Sequence, residues 1–277
     1  MPLFEGLIEK MRTQLPQGGA PVQYRLPMGE EEIPVNALIG SPMKLEHTGT
    51  IHCVACGRAT KKSFNQGYCY PCFRRLAQCD SCIVSPEKCH FHEGTCREPA
   101  WGESHCFIGH TVYLANSSGL KVGITRDTQI PTRWMDQGAA HALPIFRVQS
   151  RRQSGFVEVL FKDHVADRTD WRKLLKGEPE PIDLAARRDA LYAATEQGVR
   201  ELKDRFGDPA IERVTDAAVT QIRYPVERYP QKVTSFNLDK TPVAEGTLNG
   251  IKGQYLIFDT GVINLRKYAG YRLRLEC

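Results

Sequence analysis

The sequence predicts an α+β protein: a β-rich domain built from both chain ends, interrupted by a cysteine-rich module and a smaller α/β unit. Three observations predict it. Nine of the ten cysteines fall between Cys53 and Cys106, in a stretch with little hydrophobic periodicity. Residues 111–176 read strand, strand, helix, strand, helix. Both ends are rich in Val, Ile, Tyr and Phe set between Gly- and Pro-containing turns. The expected divisions are 1–50 (first strands of the β-rich domain), 51–110 (cysteine module), 111–178 (α/β domain), 179–214 (helical connector) and 215–277 (last strands of the β-rich domain).

Element by element, Val22–Leu26, Glu32–Leu38 and Lys44–Ile51 alternate as strands do. Thr111–Tyr113 and Lys121–Thr125 flank a Ser/Gly turn, as in a hairpin. A helix containing Arg133 follows, with Pro131 suited to its first turn. A strand over Leu143–Ser150 comes next, then a helix in GFVEVLFKDHVADR (155–168). The segment GEPEP (177–181) reads as a linker. Ile182–Phe206 reads as one helix with an apolar stripe of Leu184, Leu191, Val199, Leu202 and Phe206, stopped by Gly207 and Pro209. From Val219 onward the chain is strand-like. A faint repeat lays residues 36–51 on 248–263 and suggests equivalent strand pairs from the two ends.

Composition is that of a globular protein, with 41% hydrophobic and 25% charged residues, which excludes collagen, coiled-coil rods and wholly disordered chains. The formal net charge of +5 is unevenly spread. It is −2 over 1–50, +2 over 51–110, +5 over 111–176 and zero over 177–277. A polyanion is attracted by such local focusing rather than by the total. The first residues carry Glu5 and Glu9 and no apolar segment, so no secretory signal is expected. No apolar run approaches the roughly 18 residues of a membrane span. A cytoplasmic protein with no membrane partner is the expectation, and in that reducing setting clustered cysteines serve metals rather than disulfides.

The spacing Cys53-x2-Cys56 and Cys69-x2-Cys72 gives two tight turns, each aiming two thiolates at one ion, as structural zinc prefers. Gly57 and Gly67 suit such turns. Cys79-x2-Cys82 forms a third turn, expected to contribute to a second zinc. Its remaining ligands are open among Cys89, Cys96 and Cys106, with His90 or His92 as nitrogen alternatives. About two structural zinc ions are expected. An iron–sulfur cluster is the alternative that spacing leaves open. Metal would supply the folding energy this stretch lacks.

The ordered set Thr111-Val112-Tyr113, Lys121-Val122-Gly123-Ile124-Thr125, Arg133 and Glu158 resembles the GIY-YIG endonuclease superfamily, over about 65 residues. The resemblance implies a hairpin carrying Tyr113 and Gly123, then a helix with Arg133, then a helix with Glu158. It also implies phosphodiester hydrolysis: Glu158 holding a divalent metal such as magnesium, Tyr113 activating or orienting water, and Arg133 neutralising charge on the phosphate. Lys121 stands where the family's second tyrosine usually stands, and some divergent branches have lysine there. No asparagine follows Glu158 before the α/β domain ends; Asp170 and Trp171 occupy that region. Lys121, Arg126, Arg147, Arg151 and Arg152 are the expected phosphate contacts.

The whole chain also resembles an uncharacterised bacterial and archaeal family, a domain of unknown function. The marks are the CxxC pairs, HFHEGTCREP (90–99), YLANSSGLKVGITR (113–126) and KGQYLIFDTGVINLRKYAGY (252–271). That resemblance implies the architecture and no activity. The expected function is a zinc-containing, nucleic-acid-binding, GIY-YIG-type metal-dependent nuclease acting on RNA or DNA. The alternatives are a noncatalytic zinc-dependent nucleic-acid binder and a zinc-stabilised protein-interaction scaffold. The aromatic and basic strands at the C-terminus read as packed core with solvated charges.

Overall fold

The structure, a computed structural model, describes residues 3–165 and 169–277. The chain is α+β. Its first part holds β1 (Leu3–Leu7), β2 (Arg12–Gln14), β3 (Gln23–Met28), β4 (Glu31–Pro34) and β5 (Pro42–Ile51). The cysteine-rich stretch follows with two short helices, α1 (Tyr70–Arg75) and α2 (Pro99–His105), and several single 3-10 turns. Then come β6 (His110–Asn116), β7 (Leu120–Arg126), α3 (Thr132–Asp136), β8 (His141–Val148) and α4 (Arg151–Phe161). They are followed by α5 (Trp171–Leu174), α6 (Leu184–Ala194), α7 (Glu196–Phe206), β9 (Ile211–Arg213) and β10 (Thr220–Gln221). The chain closes with β11 (Val243–Lys252), β12 (Tyr255–Phe258), β13 (Val262–Asn264) and β14 (Tyr271–Glu276).

Three sheets organise these strands. One has the order β1-β14-β5-β11-β12-β13, so the first and last strands lie side by side, Leu3 opposite Glu276 and Leu7 opposite Arg272. A small sheet β2-β3-β4 shares its core, through Met11, Val22, Tyr24 and Leu26 packed with Leu45, Leu256 and Leu273. The third has the order β10-β8-β6-β7, with β9 beside β8. Its two faces are buried by different partners. Val112, Leu114 and Val122 face α4, α6 and α7 through Val157, Phe161, Leu191 and Val199. Tyr113, Ala115 and Ala142 join the core of the terminal strands, together with Trp134 and Met135 of α3. That double burial explains why every residue of β6 is inaccessible. The outer strand β7 leaves its free edge to the cleft described below.

The expected elements meet the structure with several differences. The strand expected over Glu32–Leu38 ends at Pro34 and continues as a 3-10 turn over Val35–Leu38, and α5 was not expected. The helix expected over 182–206 is two helices, broken at Thr195, whose hydroxyl donates to the Leu191 carbonyl at 2.7 Å. A threonine bonding four residues back competes with the helical ladder. Helix α4 begins earlier than the apolar pattern suggests, because extended Ser150 accepts the Gln153 N–H and caps it. Residues 166–168, the end of that expected helix, lie outside the described residues. Strands β1 and β2 were not expected, being short and only partly buried. The stretch 222–242 is mostly irregular rather than strand-like.

The repeat is real in kind but not in register. Residues 36–51 and 248–263 fall in different elements. The structure instead matches β3, β4, the 3-10 turn Val35–Leu38 and β5 with β12, β13, the 3-10 turn Leu265–Tyr268 and β14. Ile33 then meets Ile263, Gly40 meets Gly270, Leu45 meets Leu275 and Glu46 meets Glu276. Both glycines have positive φ, 86° and 83°, at the sharp exit into the long strand. At Gly270 an added Cβ would also sit 2.2 Å from the His52 carbonyl oxygen.

Candidate functional site

The four sulfurs of Cys53, Cys56, Cys69 and Cys72 lie within 4.8 Å of one another. Four ligands 2.3 Å from a tetrahedral centre stand about 3.8 Å apart, and the Cys56 and Cys69 sulfurs are separated by 3.8 Å. Local backbone geometry builds this. The Gly57 N–H donates to the Cys53 carbonyl at 2.9 Å, closing the first turn with Gly57 at φ 71°. Cys69 caps α1 and Cys72 sits in its first turn. The cluster is a possible metal site, and its donors are compatible with structural zinc.

Cys79 and Cys82 do not share a site. Cys79 packs with Cys53, Cys69, Cys72 and Leu76. Cys82 faces away, onto a small cavity that Cys89, Cys96 and Cys106 also line. The 3-10 turns at Ala77–Cys79 and Ser81–Ile83, with Asp80 extended between them, turn the two thiols in different directions. His90 lies beside Asp80, its Nε2 3.4 Å from the carboxylate. His92 is exposed, with Glu93 at 3.6 Å.

A second candidate site lies along the β7 edge. A cleft of about 620 Å³ is lined by Lys121, Gly123, Arg126, Arg133, Arg151 and Glu158, all from the 111–176 segment. The cysteine module closes one side through Tyr68, Trp101 and His105. The terminal strands close another through Lys10 and Arg266. Six basic side chains thus face one concavity whose acidic side chains are Asp136 and Glu158. Asp136 is engaged: Lys10 reaches it at 2.6 Å and Gln254 at 2.9 Å.

Behind the cleft wall Tyr113 is fully buried, its hydroxyl donating to Gln137 Oε1 at 2.7 Å. Lys121, only 3% exposed, donates to the same Gln137 oxygen and to Thr169 Oγ1, both at 2.9 Å. Burial pushes the Tyr113 phenol up to about 12, against a smaller opposing pull from Arg133. Burial pulls the Lys121 amine down to about 7, reinforced by Arg133 and opposed by Glu158. Lys121, Arg133 and Glu158 line the same cleft, and Tyr113 is tied to it from behind through Gln137, which it shares with Lys121.

Gly123 sits directly under the Tyr113 ring, opposite it in the β6–β7 register. An added Cβ would lie 2.7 Å from the ring's Cζ and hydroxyl oxygen. Gly123→Ala should therefore destabilise the protein by about 1–3 kcal/mol through overpacking, read as a lower urea midpoint. An unchanged midpoint would show that the ring is not held there.

The other expected phosphate contacts divide. Arg126 and Arg151 line the cleft, although Arg151 also spends a donor on the Ile83 carbonyl at 2.5 Å. Arg147 does not line it: β8 places this exposed residue between Thr111 and Glu212, on the side of the sheet away from β7. Arg152 points toward the cysteine module, 3.4 Å from His92 Nε2. Gln137, Lys10 and Arg266 were missed. Gln137 was legible as the residue one helical turn after Arg133. Lys10 and Arg266 come from distant sequence and carry no local signal.

A family model described as "protein of unknown function (DUF2797)" matches residues 40–273. Neither a curated protein nor a solved structure matches the chain.

Proposed function

The chain belongs to the DUF2797 family, whose description names no activity, and we propose that it is a nucleic-acid-binding, metal-dependent nuclease of the GIY-YIG type. One observation carries this: Lys121, Arg133 and Glu158 line a single cleft rich in basic side chains, with Tyr113 behind them bonded to the same Gln137 as Lys121. The five other basic side chains, Lys10, Arg126, Arg133, Arg151 and Arg266, suit the phosphates of a polyanion and supply binding without sequence preference. The buried tyrosine over a strand glycine, followed by an arginine helix and a glutamate helix, supports the superfamily likeness.

Magnesium takes one or two carboxylates, several waters and substrate phosphate oxygens. Glu158, half-buried at the cleft, offers a carboxylate to that donor set. Magnesium held there would polarise a phosphate oxygen as a Lewis acid. The protein's own groups do the rest. Arg133 neutralises charge gathering on the phosphorus centre. With two N–H groups given to Gln137 and Thr169, a neutral Lys121 amine keeps its lone pair for a water proton. That water's oxygen then bonds to phosphorus while a phosphorus–oxygen ester bond breaks, and the leaving oxygen takes a proton from solvent. Tyr113, its phenol raised to about 12, stays protonated near neutral pH, so no phenolate is at hand to act as base, and its hydroxyl orients Gln137.

Labelled RNA and DNA incubated with and without magnesium test the activity. Its pH dependence tests the base. Lys121 must be deprotonated to accept a proton, so kcat should rise about tenfold per pH unit below about 7 and level off above it. Lys121→Arg should remove that limb along with most of the rate. A flat profile for the unaltered protein would exclude Lys121 as the base.

A further inference from the structure

We infer that Cys82, Cys89, Cys96 and Cys106 form a second four-thiolate metal site, which holds the cysteine module against α4. All four line one small, partly open cavity of about 20 Å³, and closing on an ion would draw their sulfurs together. The rest of its lining is Ala77, Ile83, Phe91, Trp101, Gly102 and Phe107, with Asp80 at its border. Four soft donors in an apolar shell are what zinc takes in closed structural sites. Gly102 keeps the lining open near one of them: a Cβ there would come 3.6 Å from Cys96 Sγ and 3.2 Å from the Phe91 ring.

Asp80 is the most fully engaged of the competing donors. Asp80, Cys82 and His90 also offer atoms within 4.8 Å of one another. However, Arg97 Nε holds one Asp80 oxygen at 2.8 Å, and the other accepts the Ser81 N–H at 2.6 Å. His90 Nδ1 is bonded to Thr95 Oγ1 at 2.7 Å and its Nε2 lies 3.4 Å from Asp80, so His90 is the nitrogen alternative that the test below separates from an all-sulfur site. Cys79 belongs with the first cluster and His92 with solvent.

The site has a mechanical consequence. The loop between Cys82 and Cys89 carries the 3-10 turn Pro86–Lys88, which lies against α4 at Gly155. An added Cβ there would stand 2.5 Å from the Glu87 nitrogen and 2.7 Å from Pro86 Cβ. Arg151, at the start of α4, donates its backbone N–H to the Cys106 carbonyl at 2.7 Å and its guanidinium to the Ile83 carbonyl. The metal therefore sets the seat of the helix that presents Arg151 and Glu158. This inference stands independently of the nuclease reading.

The test uses the unaltered full chain as purified. Mass spectrometry should count two zinc ions, and X-ray absorption should find an all-sulfur shell at about 2.3 Å. One zinc per chain, or nitrogen in the shell, would overturn the assignment. Cys89→Ser and Cys96→Ser should each lose one of two zinc equivalents, while Cys79→Ser and His90→Ala keep both. Loss of a zinc from His90→Ala would equally overturn it. Hydrogen exchange completes the test: Cys96→Ser should lose amide protection in α4 while keeping it in the β5 and β14 strands. Unchanged α4 protection in that zinc-depleted protein would refute the seating role.

Discussion

Removing the metal from Cys53, Cys56, Cys69 and Cys72 should unfold the segment from His52 to Leu76. This is the largest stability effect expected in the molecule. Beyond the sulfurs themselves, the apolar support of this segment is Leu76 with the part-buried Tyr68 and Phe73. Its regular structure is one six-residue helix and two isolated bridges, His52 to Ala59 and Phe64 to Tyr68. A core that small does not offset the entropy of ordering the chain. Structural zinc binding, about 10–16 kcal/mol in small modules at neutral pH, would. Cys69→Ser should therefore abolish amide protection across 52–76, while the six-stranded sheet, with its own core, keeps its protection. Retained protection in a zinc-free protein would show that packing alone folds the segment.

The second large effect is on catalysis. Glu158→Gln should lower magnesium-dependent cleavage by about 10²–10³-fold, the cost of losing one charge-stabilising contact in an active site. Binding should persist, because Lys10, Arg126, Arg133 and Arg266 are untouched by the change. Glutamine keeps the shape of the half-buried side chain, so thermal stability should hold. A parallel loss of binding and melting temperature would indicate a structural carboxylate instead.

Much of this was legible in the sequence because it depends on local spacing. Paired CxxC turns fix where two thiolates point, and four such sulfurs do meet. The hairpin of Tyr113 and Gly123 was legible for the same reason, since ring and glycine oppose each other across one register. The second cysteine set was not, because Cys79 and Cys82 share a spacing but not a direction; the extended backbone at Asp80 decides that. The break at Thr195 was hidden by an apolar stripe that runs through it. Lys10 and Arg266 reach the cleft only because the first and last strands pair, and no local pattern announces so long-range a contact.

The central claim is that the cleft cuts a phosphodiester backbone. The most direct measurement pairs the unaltered protein with Glu158→Gln on the same labelled RNA and DNA strands, with magnesium present or withheld, at matched bound fraction. Shortened products are expected from the unaltered protein with magnesium, and intact strands from the variant and from the magnesium-free arm. Strands bound but intact in every arm, or cut equally by both proteins, would contradict it.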